Sequence, residues 1–236
     1  ESNILHDQNI AILGLGLMGA SLALGLDGHC KGLLGIDIDP ETCQIALAKG
    51  VVDSASTDLH QVLPEADILI IATPVSAALE IIAELPRIHN GGKLIVTDLT
   101  STKVEIMCAL ESLPSNFDII GGHPICGKET LGISNAEKEM LEGCIYTLTP
   151  SGRTSERTKT LAAQIVDAIG ATPLWIDAKE HDRTLAATSH APHLLSVALT
   201  HATEKKYARL SGGGFSSATR LASTPTSMML SMVMTN

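Results

Sequence analysis

Short aliphatic runs and helical stretches take turns along the first three quarters of this chain. "NIAILGLG" is an apolar run entering glycines, and "LMGASLALGL" behind it has helical composition. "GLLGIDID" reads as a second strand, and "PETCQIALAKG" as a helix opened by Pro40 and closed at Gly50. "ADILIIATP" is a third strand, stopped by Pro74. "SAALEIIAELPRI" and "STKVEIMCALESL" are helical, with the strand "KLIVTDLT" between them. "FDIIGGHP", "CIYTLTP" and "ATPLWID" supply three more strands, the last preceded by the helix "ERTKTLAAQIVDAIG". Alternation of this kind predicts parallel strands joined by right-handed crossovers, an α/β doubly wound and mostly parallel sheet.

After Asp177 the pattern changes. "KEHDRTLAATSHAPHLLSVALTHATEKKYARL" reads as one long helix that takes Pro192 as a kink or break. A glycine loop, "SGGGF", and a further helical segment follow. Two units are expected: residues 1–178 as the α/β domain and 179–236 as a smaller all-helical domain.

Composition narrows the class. Of 236 residues, 44% are hydrophobic but only 2% aromatic, so the core must be aliphatic. A formal charge of −10 with scattered Lys and Arg leaves no basic face for nucleic acid and no polybasic patch for a membrane. No apolar run approaches the roughly 18 to 20 residues of a spanning helix, and the first residues lack the basic-then-apolar order of a secretory signal. Five cysteines without a CxxC pair predict free thiols in a reducing cytoplasm and no zinc site.

"GLGLMG" sets Gly14, Gly16 and Gly19 in the G-x-G-x-x-G spacing, after a strand and at the opening of a helix. That context predicts a Rossmann-type dinucleotide site built from Gly14, Leu15, Gly16, Leu17, Met18 and Gly19. Gly14 makes the tight turn, Gly16 admits the pyrophosphate, and Gly19 allows close helix packing. The free N–H groups and dipole of the helix receive the anion. Asp37, at the end of the second strand, is placed to bond the ribose hydroxyls and repel a 2′-phosphate, which favours NAD over NADP. Asp39 reads as the cap of the next helix. Thr73 and Pro74, ending the third strand, are expected to line the cofactor groove. Ser101 faces the same crevice or caps the helix behind it. "GGHPICG" holds His123 in a stiff, side-chain-poor frame, which is either a structural turn or a positioned imidazole.

"GLGLMGASLA", "ATPVSA", "TDLTSTK", "GGHPICGKE", "TSHAPH" and "GGGFSSATRLA", in this order and spacing, resemble the prephenate/arogenate dehydrogenase family of tyrosine biosynthesis. The resemblance implies NAD-dependent oxidation of a ring hydroxyl with loss of the ring carboxylate as CO2. It implies that His123 is the catalytic histidine and that Ser101 supports it near the substrate hydroxyl. Arg220 would grip the substrate's side-chain carboxylate, His193 would contact substrate in prephenate-using members, and Glu129 would sit in the active-site gate. It also implies a homodimer, with family members continuing into further helices beyond the position of Asn236. Ser216 and Ser217 stand where the family often has Arg-Asp, and Met229 where a tryptophan is common.

A base at His123 must be neutral, so the expected acid limb lies near the unperturbed value of about 6.5. Prephenate is the expected substrate, with arogenate the alternative. A β-hydroxyacid dehydrogenase would want a lysine central to the long helix, whereas Lys179, Lys205 and Lys206 lie only at its ends. A module that senses NAD without turnover would leave His123, Ser101 and Arg220 without a common purpose.

Overall fold

The aliphatic runs pair side by side because each must bury two faces at once. In a computed structural model, which describes residues 3–128 and 130–236, six strands form one parallel sheet. They are β1 (Asn9–Leu13), β2 (Gly32–Ile36), β3 (Ser54–Ser56), β4 (Ile68–Ile71), β5 (Leu94–Asp98) and β6 (Phe117–Ile119), in the order β3-β2-β1-β4-β5-β6. The register sets Ile10 opposite both Leu33 and Ile68. Chain direction across the sheet reverses between β1 and β4, which opens a crevice at the carboxyl ends of those strands.

Successive residues of one strand serve opposite cores. Ile10, Ile12, Ile68 and Ile70 pack with α1 (Leu17–Leu26) and α6 (Glu156–Ala168), while Ala11, Leu13, Leu69 and Ile71 pack with α4 (Val75–Ile88) and α5 (Val104–Glu111). Covering both faces is why these strands are continuous apolar runs rather than alternating ones. On the side of β2 lie α2 (Pro40–Ala48) and the one-turn α3 (Leu59–Val62). Asp39 caps α2, accepting from the backbone N–H groups of Glu41 and Thr42.

Two departures from the sequence pattern matter for the site. "FDIIGGHP" is not one strand. β6 ends the parallel sheet, and β7 (Gly121–Pro124) leaves it to pair antiparallel with β8 (Ile145–Thr149). β8 pairs in parallel with β9 (Thr172–Trp175), so these three form a second sheet. The ladder breaks because the Gly122 N–H is taken by the Asp98 side chain, not by a strand carbonyl. β3 escaped the pattern because three small residues on a sheet edge carry no apolar signal.

The long helix is also interrupted. α7 (Ala178–Leu185) runs into a π-helical turn, Ala186–His190, and then α8 (Ala191–Ala202). Pro192 has no N–H to donate, and the widened turn before it absorbs the change of bonding pattern. Beyond lie a 3₁₀ segment (Lys205–Leu210), α9 (Gly213–Thr219), a 3₁₀ turn (Arg220–Ser223) and α10 (Thr226–Thr235). Among the described residues no helix is long and apolar enough to cross a membrane.

Candidate active site

The glycine loop is pressed between the ends of β2 and β4. The Gly14 N–H donates to the Ile36 carbonyl at 2.7 Å. At φ +99°, in the left-handed region, Gly14 would bring a Cβ within 2.7 Å of the Ala72 carbonyl oxygen, which a side chain cannot meet. At Gly19 a Cβ would fall 1.9 Å from the Gly14 oxygen. Gly16 differs, since nothing lies within 4 Å of its Cβ position. α1 starts there with no side-chain cap and no acid in its first turn, so no capping side chain takes its first N–H groups. Donors arranged this way fit an anion such as a pyrophosphate.

Asp37 borders that opening. One carboxylate oxygen accepts the Leu15 N–H at 2.8 Å and the other the Asp39 N–H at 3.0 Å. Both bonds use backbone donors and leave each oxygen a second lone pair. Thr73 is half-buried beside Gly14, and Pro74 is exposed at the start of α4.

At the end of β5 the structure shows a buried polar hub that sequence reasoning missed. Asp98 and Lys103 are both 0% exposed and form an ion pair. Lys103 also donates to Thr100 Oγ1 at 2.9 Å, and Thr100 in turn donates to Asp98. The second Asp98 oxygen accepts the Gly122 N–H at 3.1 Å. Burial draws the Lys103 pKa below the ordinary lysine value, with Asp98 opposing. All three residues lie in "TDLTSTK", where nothing local in the sequence marks them as a buried cluster. Ser101 is half-buried in that loop and does not cap α5. The N–H groups of Lys103 and Val104 go instead to Asp182, reaching over from α7 at 2.7 and 2.9 Å.

The glycines before His123 are there for space, since neither has positive φ. A Cβ on Gly122 would lie 2.6 Å from the Asp98 carbonyl oxygen and 2.9 Å from the Tyr146 hydroxyl. One on Gly121 would lie 2.7 Å from the Met107 sulfur. β7 thus lies hard against the end of β5 and delivers His123, half-buried, beside it.

His123 meets an unexpected partner. Its Nδ1 is 3.0 Å from Nε2 of His181 on α7, with the rings edge-on. His181 Nδ1 is 2.8 Å from Asp182. Burial pushes the His123 pKa well below the usual histidine value, helped by the Lys103 ammonium and by any positive charge on His181 or His190. The expected acid limb near 6.5 is therefore corrected downward. Among the described residues no hydrogen bond joins Ser101 to the His123 ring.

His190 and His193 are both buried, on the π turn and α8. The His190 Nε2 has no partner among the described residues, and burial lowers the pKa of both rings. Ser196, one turn beyond His193, accepts the Ala222 N–H at 3.0 Å and so ties the turn bearing Arg220 to α8. Arg220 is exposed at the start of that turn. Ser216 and Ser217 are exposed on α9, and Met229 is half-buried on α10. Glu129 lies outside the described residues.

A Rossmann-type sheet with an open glycine cradle, joined to a helical unit that brings imidazoles to its carboxyl edge, defines a nucleotide-binding module of the dehydrogenase class. Two family descriptions match the chain: "Prephenate dehydrogenase, nucleotide-binding domain" over residues 21–173 and "Prephenate dehydrogenase, dimerization domain" over 177–236. The chain belongs to the prephenate dehydrogenase family. It is 33% identical to the prephenate dehydrogenase of Bacillus subtilis over 97% of its own length, and spans 64% of that relative. The crystal structure of prephenate dehydrogenase from A. aeolicus in complex with hydroxyphenyl propionate and NAD+ aligns with a TM-score of 0.88 and 29% identity, covering 98% of this chain and 83% of that one. Synechocystis arogenate dehydrogenase aligns at 0.80 and 29%, covering 96% and 83%.

Proposed function

We propose that this chain carries the catalytic part of an NAD-dependent prephenate dehydrogenase, oxidising prephenate to 4-hydroxyphenylpyruvate with loss of CO2. The observation that carries it is the joining of two half-sites. An uncapped helix N-terminus with an adjacent carboxylate, Asp37, lies at the crevice between β1 and β4. A half-buried histidine stands off the end of β5. The loop Gly14–Gly19, Asp37, Thr73 and Pro74 would hold the dinucleotide. Bound there, it supplies the hydride acceptor. Burial keeps His123 neutral, so it accepts the proton of the ring hydroxyl as that carbon is oxidised, and Ser101 lies in the neighbouring loop to steady the hydroxyl. Arg220, carried on the turn held against α8, pairs with the side-chain carboxylate, and His193 and Glu129 complete the substrate's surroundings.

Arogenate is the second reading, supported by the Synechocystis relative. A β-hydroxyacid mechanism fits poorly, because Lys103, beside His123, is committed to Asp98, and Lys179 is exposed. The helical unit exposes Leu194, Leu195, Leu230 and Met234 and matches a dimerization domain, which supports a homodimer. Five thiols without disulfides suit a cytoplasmic enzyme.

Assaying the purified protein with prephenate and arogenate, each with NAD and with NADP, tests the reading. Prephenate with NAD is expected to turn over fastest; activity with neither substrate overturns it. NAD should bind at least ~10-fold more tightly than NADP, about 1.4 kcal/mol, because Asp37 repels a 2′-phosphate. Equal binding by calorimetry would remove Asp37 from the site. Arg220→Ala should weaken substrate binding by about 2 to 4 kcal/mol with NAD affinity unmoved. An unchanged KM would assign the carboxylate to another cation.

A further inference from the structure

Three side chains form a continuous line of contacts from α7 to the end of β7. Asp182 Oδ1 is 2.8 Å from His181 Nδ1, and His181 Nε2 is 3.0 Å from His123 Nδ1. His181 is 0% exposed and Asp182 4%. Both Asp182 oxygens also accept the N–H groups that open α5, at 2.7 and 2.9 Å. These bonds and His181 hold the Asp182 pKa below the usual carboxylate range although burial opposes them.

The direction of donation follows from which atoms carry protons. An ionised carboxylate only accepts, so His181 Nδ1 must bear hydrogen. In a neutral His181 the Nε2 is then an acceptor, and the ring atom facing it is His123 Nδ1, which must donate. With its hydrogen on Nδ1, neutral His123 keeps the lone pair on Nε2. A histidine lacking such a partner distributes its hydrogen between both nitrogens, and one tautomer offers no base on the outer edge.

We propose that His181 and Asp182 are positioning residues that fix His123 in the tautomer whose Nε2 is the base, and that share the positive charge when that atom takes a proton. In the proton step the substrate's O–H bond breaks and an Nε2–H bond forms on His123. The Nδ1–H of His123 then strengthens its bond to His181 Nε2, and Asp182 remains an anion throughout. The other charges around His123 work against its own: Lys103, compensated by Asp98, and His190, and a cationic His181 would do the same, whereas a neutral His181 accepts from the His123 Nδ1–H. Tyr146 stays a neutral phenol, since burial raises its pKa. An acceptor on the inner nitrogen is therefore what keeps proton uptake accessible. The identity of the proton donor rests on the proposed function, whereas the tautomer does not.

Two substitutions in the full chain and one spectroscopic measurement test this. His181→Leu removes the acceptor; His181→Gln keeps a carbonyl towards His123 and an N–H towards Asp182. His181→Leu is expected to lower kcat roughly 10²-fold with KM and dinucleotide binding little changed, and to move the acid limb to lower pH, because the imidazolium of His123 loses its partner. His181→Gln should regain about tenfold of that loss. Nitrogen NMR of histidine-labelled wild-type protein should show His123 protonated on Nδ1 and bare on Nε2. A kcat within about threefold of wild type and an unmoved pH profile in His181→Leu, or His123 protonated on Nε2 in the wild type, overturns the proposal. If His181→Leu does not fold, the glutamine variant and the wild-type spectrum decide. The spectrum needs no turnover, so a protein inactive on prephenate and arogenate would defeat the proposed function and still report the tautomer.

Discussion

His123→Asn is expected to lower kcat by roughly 10² to 10⁴ and leave NAD binding intact. Asparagine keeps a polar group of similar reach but cannot take a proton, so the loss measures proton uptake rather than packing. The nucleotide cradle lies at the crevice between β1 and β4, while His123 belongs to the second sheet, which separates the two effects. The pH profile gives the sharper signature. A base must be neutral to act, so activity is present above the His123 pKa and falls as pH drops through it. Burial and the Lys103 charge hold that pKa well below the usual histidine value, so the acid limb of the free wild-type enzyme should lie below about 6.5. In His123→Asn this limb should vanish. A variant that keeps its rate and profile would make "GGHPICG" a structural turn and nothing more.

Asp98→Ala is expected to destabilise the fold by about 3 to 5 kcal/mol, measured by urea unfolding. The substitution leaves the Lys103 ammonium at 0% exposure without its counter-ion. It also strips the acceptor from the Gly122 N–H, which holds β7 to the end of β5. Pairing it with Lys103→Met should restore most of the loss, because the remaining charge goes with its partner. A cost below about 1 kcal/mol for Asp98→Ala alone would show that Lys103 is neutral in the folded protein, consistent with burial having overcome Asp98.

What was legible in the sequence is what depends on near neighbours. The strands β1, β2, β4 and β5 announce themselves because both faces are covered, which forces unbroken aliphatic runs. The glycine loop was legible because its demands lie within six residues: a left-handed turn at Gly14, and Gly19 packed against the Gly14 carbonyl. The cap at Asp39 and the interruption at Pro192 are local in the same sense. Candidate chemistry at His123 could be suspected from its stiff frame, but not the reason for the frame. Its glycines answer to the Asp98 carbonyl, the Tyr146 hydroxyl and the Met107 sulfur, none of them within ten residues.

By itself, then, the chain determined its periodicity, its crossovers and the cradle at the first helix. Only the tertiary structure decided how polar groups remote in sequence share their hydrogens. Gly122 meets Asp98 across 24 positions, His123 meets His181 across 58, and Lys103 meets Asp182 across 79. No local pattern marks such pairs, because burial supplies the selection: once water is excluded, an N–H or a charge left without a partner is costly, and the fold determines which partner is within hydrogen-bonding reach.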